Sequence, residues 1–393
     1  MMRKKDIFKV ISTYFSAVFV FIILISMIIY IFSNGISNLS LKFITSDYYE
    51  KVYVIKCNSY DKEYTNPNIK DTYFSYKYGV ALKDSKSISG EKCIVIAYVA
   101  IDSVFNDAMT KQGYSINEND TIDILIGTDE YNNDVNAYSK NGALKFSEAL
   151  DKTKSISYLQ IKTMGGGIRG SLKATFILIL FTLLFSLPLG IGAAIYLVLY
   201  AKDGKAKTII SSMIDSTSGI PSIIFGFVGM IVFIPIISSI TKRNDYSILA
   251  GSLTMTIILL PTIVKVTSEA LYTVPQEYME NSLALGASKT QTIFKVILPN
   301  AIPGILSAVI LSIGRIIGES AALIFVMGTF IKDDVSLLNG ATSLSLHIYS
   351  LTKAEVPNYE SACAISIIIL IIVFVLSAIT KILHIRFNKK RGL

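Results

Sequence analysis

Long apolar stretches dominate this sequence and limit what it can fold into. Six of them are long enough to cross a bilayer as helices, which takes about 20 residues. Hydrophobic residues make up 52% of the 393 and charged residues 17%, whereas a soluble domain carries about a quarter charged residues. These proportions exclude a disordered chain and disfavour a soluble enzyme.

The six predicted spans cover residues 10–32, 172–200, 219–240, 248–266, 303–327 and 361–383.

The distribution of basic residues predicts how these spans are oriented. With the N-terminus inside, the inner segments carry 14 Lys and Arg residues and the short outer loops carry four. Because short basic loops stay in the cytoplasm, we predict a plasma-membrane protein with residues 1–9 and the basic tail 386–393 inside. The first span has a longer apolar run than a signal peptide, so we expect an uncleaved anchor. The segment 33–165 is then extracytoplasmic.

The segment 33–165 has the composition of a small folded domain. It holds 15 Lys and 17 acidic residues, a net charge of −2, so the rest of the chain carries +10. That positive charge lies between the apolar spans rather than on one basic face, which argues against nucleic-acid binding. β-rich runs at 92–101, 121–127 and 156–162, with short helical patterns at 103–111 and 145–152, predict an α+β domain. Cys57 and Cys93 both lie in it, and a disulfide between them stays open.

The inner loop 267–300 is polar but ordered in pattern. Val274-Pro275 is expected to start a helix, with Glu280 near its N-terminus, where a negative charge suits the helix dipole. Gly286 is expected to end that helix. Ser288 is placed to cap a second helix, and Pro299 is expected to break that helix before the fifth span. The loop therefore predicts a hairpin of two short helices at the cytoplasmic mouth, although an ordinary amphipathic loop is the simpler alternative.

The same loop resembles the cytoplasmic loop of ATP-binding-cassette importer permeases, which reads E-A-A-x3-G-x9-I-x-L-P. Glu280, Gly286, Leu298 and Pro299 match at the family's spacing, while Asn281 and Ser282 replace the two alanines and Val296 replaces isoleucine. The resemblance implies that this loop couples to a separate ATPase. It implies the same coupling role for Ala287, which follows Gly286.

Three further segments are similar to the A-type permeases of phosphate-specific importers. They are residues 187–196, 219–223 and 313–321, and in the third Ser320 replaces the family's threonine, with Ala322 for its proline. The resemblance implies a membrane all-α fold, with a permease core of spans two to six over 172–385. It also implies a set of partners: a C-type permease, two ATPase subunits that bind ATP and Mg, an extracytoplasmic phosphate-binding lipoprotein, inorganic phosphate and membrane lipid.

Arg315 and Glu319 lie within the fifth predicted span. A charge at a helix centre costs roughly 2.5–3.5 kcal/mol on insertion scales. At a spacing of four the two side chains share a helix face, so they either neutralise each other or serve the pathway. In the second interpretation Arg315 meets an oxyanion, Glu319 holds or releases it, and Gly318 and Ser320 lie beside them. Gly314 and Gly318 are expected to form a close-packing strip.

The order of elements in the outer segment resembles that of a PDZ domain inserted between helices 1 and 2. In that family a glycine-containing loop receives a peptide C-terminus, and the peptide adds to a sheet edge. The resemblance implies a peptide-binding loop at Gly79, Val80, Ala81 and Leu82. The alternative is a generic α+β insert that packs against the complex.

The sequence also excludes several chemistries. It has no G-x-x-x-x-G-K-[ST] motif, so we predict a transporter subunit without an ATPase motif or cofactor of its own rather than an enzyme. The two histidines, His347 and His384, form no H-E-x-x-H motif, which disfavours an intramembrane metalloprotease and any metal site; His347 is expected on the surface of an outer loop. Importers of sulfate, molybdate or tungstate, and a membrane-anchored peptide sensor or scaffold, remain as alternative functions.

Overall fold

The computed structural model describes residues 4–58, 62–86, 92–106, 116, 120–163, 165–243 and 245–390. The chain divides into two compact units. One comprises Ser40–Arg169, and the other comprises Met1–Leu39 with Gly170–Leu393. Within these ranges, six helices are long and apolar enough to cross a membrane. Together with the sheet-rich unit, they confirm the predicted fold class.

The first helix, α1, runs over Lys4–Gly35 and carries no charged residue after Lys9. None of its most apolar window is buried by other parts of the protein. Its C-terminal end packs on the last helix of the chain, because a Cβ added to Gly35 would lie 2.6 Å from the Cys363 backbone. Such a helix suits a lipid-facing position.

The unit Ser40–Arg169 is built around one antiparallel sheet, to which seven strands belong among the residues that the structure describes. A short helix α2 (Leu41–Thr45) precedes the strands. A second helix, α3 (Ala143–Lys152), lies between the last two strands in the sequence and packs on the sheet. The spatial order is β1-β7-β5-β4-β3-β2, with β6 paired to the end of β5. The strands are β1 (Val52–Asn58), β2 (Tyr73–Ser75), β3 (Val80–Lys86), β4 (Lys92–Val99), β5 (Thr121–Thr128), β6 (Asp134–Tyr138) and β7 (Ser155–Lys162).

Alternation of apolar and polar residues explains the core of this unit. One face of β3, β4, β5 and β7 buries branched aliphatic side chains against Phe146 and Leu150 of α3. The predicted strands and the second predicted helix are all found here. In the first predicted helix, residues 104–106 are helical, and 107–111 lie outside the described residues.

Cys57 and Cys93 are free thiols in this unit. Cys57 lies on β1 and Cys93 on β4, and two strands separate them in the sheet. At about 4.8 Å per strand spacing, they are too far apart for a disulfide, which needs Cα atoms within about 7 Å. Burial raises the pKa of the Cys57 thiol to about 12.

In the other unit, α4 (Arg169–Ile195) continues through a π-helical turn at Tyr196–Tyr200. The helices that follow are α5 (Lys205–Thr217), α6 (Ser222–Thr241), α7 (Ile248–Tyr272), α8 (Gln276–Ala284), α9 (Lys289–Thr292), α10 (Leu298–Gly318), α11 (Leu323–Met327), α12 (Leu344–Lys353) and α13 (Tyr359–Lys390). Among them α7 is the central helix, with 67% of its most apolar window buried, and α10 packs along it.

Candidate functional site: a helix break beside Arg315, and an exposed hairpin

The fifth span is interrupted at Glu319. α10 ends at Gly318, and Glu319 has extended backbone angles, φ −78° and ψ 128°. The prediction of one continuous helix over 303–327 was therefore wrong. The reason is that Glu319 finds its hydrogen-bond partners outside the helix, and α11 begins only at Leu323.

Three hydrogen bonds hold the Glu319 break. The carboxylate Oε1 accepts the Ser222 hydroxyl at 3.1 Å and the Ala322 backbone N–H at 3.2 Å. The backbone carbonyl of Glu319 accepts the Ser345 hydroxyl at 2.6 Å. Ser222 starts α6 and Ser345 lies in the first turn of α12, so three separate helices meet at this residue.

Arg315 lies one turn before the break and is partly buried. Its Nη1 donates to the Thr262 hydroxyl of α7 at 3.0 Å. Within the described part of the chain this is the one hydrogen bond that the Arg315 side chain makes, and it forms no ion pair with Glu319. The two charges therefore do not neutralise each other by direct contact. A guanidinium has five N–H donors, so four remain to meet water or an anion.

The predicted glycine strip on α10 is wrong. A Cβ added to Gly314 or Gly318 would meet no heavy atom within 4 Å, so both face open space. Close approach occurs instead at Gly226 of α6, where an added Cβ would lie 2.5 Å from the Ala322 carbonyl oxygen. Ser320 lies at the break, partly exposed, and its carbonyl accepts the Ile324 N–H at 3.2 Å.

The sequence interpretation missed Thr262, Ser222, Ser345 and Gly226. The one available signal was a small polar residue or glycine inside an apolar span. That signal is weak because hydroxyl groups in such helices commonly donate to the carbonyl one turn back, as Thr254 does to Ala250.

The loop between α7 and α10 forms the predicted hairpin. α8 ends before Gly286, which has φ +86° and would meet nothing within 4 Å if it carried a Cβ. Ser288 caps α9 in a capping box with Gln291. The Ser282 and Thr292 hydroxyls lie 2.9 Å apart and join the two arms.

Much of the hairpin surface is apolar and exposed. Leu285 is 89% exposed at the tip, and Tyr278 and Leu283 are exposed on α8. Glu280 is exposed beside them, and Ala287 is half-buried. An exposed apolar surface of this kind is typical of a site that contacts a protein or a membrane.

Pro299 does not break the second arm, so that part of the prediction was wrong. A π-helical turn at Ile293–Ile297 joins α9 to α10, and Leu298 and Pro299 form the first turn of α10. The wider π turn accommodates a proline, which has no N–H to donate and needs space for its ring. The hairpin is thus continuous with the helix that carries Arg315.

The loop that was expected to bind a peptide lies against other parts of the same chain. Val80, Ala81 and Leu82 are fully buried, and β2 pairs with them along the edge of β3. The Asp151 carboxylate accepts the Ser75 hydroxyl at 2.6 Å and the Lys77 N–H at 3.1 Å. Gly79 has φ +65°, and its N–H donates to the Ser75 carbonyl. A peptide would have to displace β2 to pair with this edge.

Within the described ranges, no three His, Cys, Asp or Glu side chains gather in a way that could hold a metal ion. The polar groups at the Glu319 break are one carboxylate, one guanidinium and several hydroxyls.

The chain belongs to the family described as binding-protein-dependent transport system inner membrane component, whose pattern it matches over residues 172–391. It is a multi-pass membrane protein and a permease subunit of an ATP-binding-cassette importer. Members of this family transport in company with an ATPase and a substrate-binding protein, so the ATP-hydrolysing part lies in another chain.

Several curated proteins are similar to it. The probable ABC transporter permease protein YqgI of Bacillus subtilis is 32% identical over 61% of this chain and 84% of its own length. The phosphate transport system permease protein PstA of Mycobacterium leprae is 31% identical over 56% of this chain and 71% of its own. A chain of the inward-facing MetNI methionine transporter is 22% identical and covers 56% of this chain and 95% of its own, with a TM-score of 0.43.

Proposed function

We propose that this chain is the A-type permease of a phosphate importer, forming half of the anion pathway with a C-type partner. The observation that carries the proposal is the Arg315 guanidinium, which Thr262 orients and no carboxylate neutralises in the described part of the chain. An unpaired charge within a membrane span is costly and marks a functional site. A guanidinium fork matches two oxygens of a phosphate.

The break at Glu319 supports a pathway next to Arg315. Its carboxylate is held by Ser222 and Ala322 rather than by Arg315, so an arriving anion does not have to break an ion pair. Gly314 and Gly318 leave open space on the same helix. In this proposal Arg315 binds the oxyanion, and Glu319, Gly318 and Ser320 shape the surface beside it.

The exposed hairpin supports coupling to a separate ATPase. Its tip presents Leu285, and its second arm continues into α10 through the π turn. A push on the hairpin would therefore be transmitted along one helix toward Arg315. We assign Glu280, Gly286, Ala287, Leu298 and Pro299 to this coupling segment, and ATP and Mg to the partner subunit.

The proposal includes an orientation and a set of partners. Both termini and the hairpin face the cytoplasm, residues 33–165 face outward, and an outer phosphate-binding lipoprotein delivers the anion. The phosphate assignment is supported by the PstA relatives and by the chemistry of Arg315. A peptide sensor is less well supported, because β2 already occupies the edge of β3.

The substrate is tested in proteoliposomes that contain this chain, its C-type partner, the ATPase and the binding protein. We expect ATP-dependent uptake of labelled phosphate that excess unlabelled phosphate suppresses and equal sulfate, molybdate or tungstate does not. Suppression by one of those anions at lower concentration would assign a different oxyanion. Uptake without ATP would contradict the importer assignment.

A further inference from the structure

A buried polar cluster joins the start of α4 to the start of α12. The Ser171 hydroxyl shares hydrogen bonds with His347 Nδ1 at 2.9 Å and with the Thr342 hydroxyl at 3.0 Å. His347 is 1% exposed, so the expectation of a surface histidine was wrong. The other members are equally enclosed: Ser171 1%, Thr175 4%, Thr342 1% and Ser343 0% exposed.

The cluster fixes the first turn of α12 from several sides. The Leu344 N–H donates to the Thr175 hydroxyl at 2.9 Å, and the Ser343 hydroxyl caps the turn by accepting the Leu346 N–H at 3.3 Å. His347 binds α4 from the end of the same turn. Because both Ser171 and Thr175 belong to the beginning of α4, the turn is held on that helix at two levels.

The same turn reaches the candidate site. Ser345, two residues before His347, donates its hydroxyl to the Glu319 carbonyl at 2.6 Å. That carbonyl lies at the position where α10 stops. A chain of contacts therefore runs from Ser171 through His347 and Ser345 to the Glu319 break, one turn from Arg315.

We propose that His347 is a positioning residue for transport: its hydrogen bond to Ser171 holds α12 on α4 so that Ser345 maintains the Glu319 break beside the anion site. The inference rests on the proposed pathway and deepens it. His347 itself lies outside the assigned anion contacts and acts through Ser345.

The role is geometric rather than electrostatic. Burial lowers the pKa of His347 to about 4, so the imidazole is neutral at physiological pH. A neutral side chain with a polar atom at the Nδ1 position should therefore replace it. Asparagine places its amide near that position, whereas leucine fills similar volume without a polar atom.

The test compares His347→Asn, His347→Leu and Ser171→Ala in the reconstituted complex. Ser366→Ala is the matched control, because the Ser366 hydroxyl donates only within its own helix, to the Ala362 carbonyl. We expect His347→Leu and Ser171→Ala to raise the KM for labelled phosphate at least fivefold at similar assembly and basal ATP hydrolysis. His347→Asn and Ser366→Ala should stay within twofold of wild type.

A second readout does not require transport. Hydrogen exchange on the full chain in nanodiscs should become faster at residues 319–323 in His347→Leu, with the other spans unchanged, and His347→Asn should restore protection. An unchanged KM with unchanged exchange, or a His347→Asn variant as impaired as His347→Leu, would overturn the proposal. So would loss of assembly in both His347→Leu and Ser171→Ala, since the cluster would then serve folding alone.

The outcomes separate this inference from the proposed function. If the wild-type complex imports sulfate instead of phosphate, the phosphate assignment fails, and the same KM comparison with labelled sulfate still decides the role of His347. If the wild type imports no anion, the proposed function fails, and the exchange measurement decides by itself whether His347 maintains the Glu319 break.

Discussion

Arg315 Nη1 lies 3.0 Å from the Thr262 hydroxyl, and this contact links α10 to the central helix α7. The guanidinium is thereby oriented by a neutral group. The Glu319 carboxylate, four residues later, accepts hydrogen bonds from the Ser222 hydroxyl and the Ala322 N–H instead. This arrangement leaves the positive charge free of a carboxylate partner within the described residues, which is what an oxyanion site requires.

Replacing Thr262 with valine should weaken anion recognition. Valine has the same shape but cannot accept the Arg315 N–H, and a hydrogen bond to a charged group contributes about 1.5–3 kcal/mol. We expect the KM for phosphate to rise about tenfold or more, with assembly unchanged, as measured by uptake into proteoliposomes. Thr380→Val is the control, since the Thr380 hydroxyl donates only to the Leu376 carbonyl of its own helix. Equal KM values for the two variants would contradict an orienting role.

Replacing Glu319 should separate its acceptor role from its charge. Glutamine keeps an oxygen for the Ser222 hydroxyl and the Ala322 N–H, whereas leucine leaves both without an acceptor. An unmade buried hydrogen bond costs about 1–3 kcal/mol, so Glu319→Leu should unfold at a lower temperature in detergent and Glu319→Gln near wild type. A leucine variant as stable as wild type would show that the carboxylate does not hold the break.

Substitutions of Gly286 should disturb the hairpin through its backbone conformation and so lower its coupling to ATP hydrolysis. A residue with a Cβ is strained at φ +86°, by about 1–2 kcal/mol, while asparagine tolerates this region better. We expect Gly286→Val to lower phosphate uptake per ATP hydrolysed, and Gly286→Asn to lower it less. The control is Gly204→Val, because Gly204 is equally open but has extended backbone, φ 172°. If both valine variants couple normally, the hairpin does not transmit ATP-driven movement.

The buried His347 predicts a pH dependence of stability. Its pKa is about 4 in the folded protein and 6.5 in an unfolded chain, so between these values the unfolded state binds the additional proton. Stability should therefore fall as the pH drops from about 6.5 toward 4. Thermal midpoints measured from pH 8 to 4.5 should show a smaller decline for His347→Asn, which does not titrate. If the thermal midpoints of wild type and His347→Asn fall in parallel, another group controls the loss of stability at acid pH.

Apolar run length was enough to predict the six spans, and the helix-start and helix-stop residues of the inner loop were enough to predict the hairpin, because both are properties of local sequence. Gly286 and Ser288 behave as their types require at a helix end and a helix start. The left-handed φ of Gly286 and the capping box are local effects that tertiary contacts did not override.

Features that depend on contacts between distant helices could not be predicted. The stop of α10 at Gly318 requires hydroxyls from Ser222 and Ser345, which lie on other helices. His347 is buried because Ser171, 176 residues earlier, supplies its partner. Gly314 and Gly318 have the spacing of a packing motif, yet no described helix covers them. Spacing alone does not say which face of a helix meets a neighbour.

Whether Arg315 binds the transported anion is decided by ATP-driven phosphate uptake in the reconstituted complex carrying Arg315→Gln. Glutamine removes the charge and the fork, and losing two charge-assisted hydrogen bonds at about 1.5–3 kcal/mol each predicts a loss of about 100-fold or more. Assembly with the partner subunits should remain, as judged by co-purification. Uptake at the wild-type rate and KM would contradict the account.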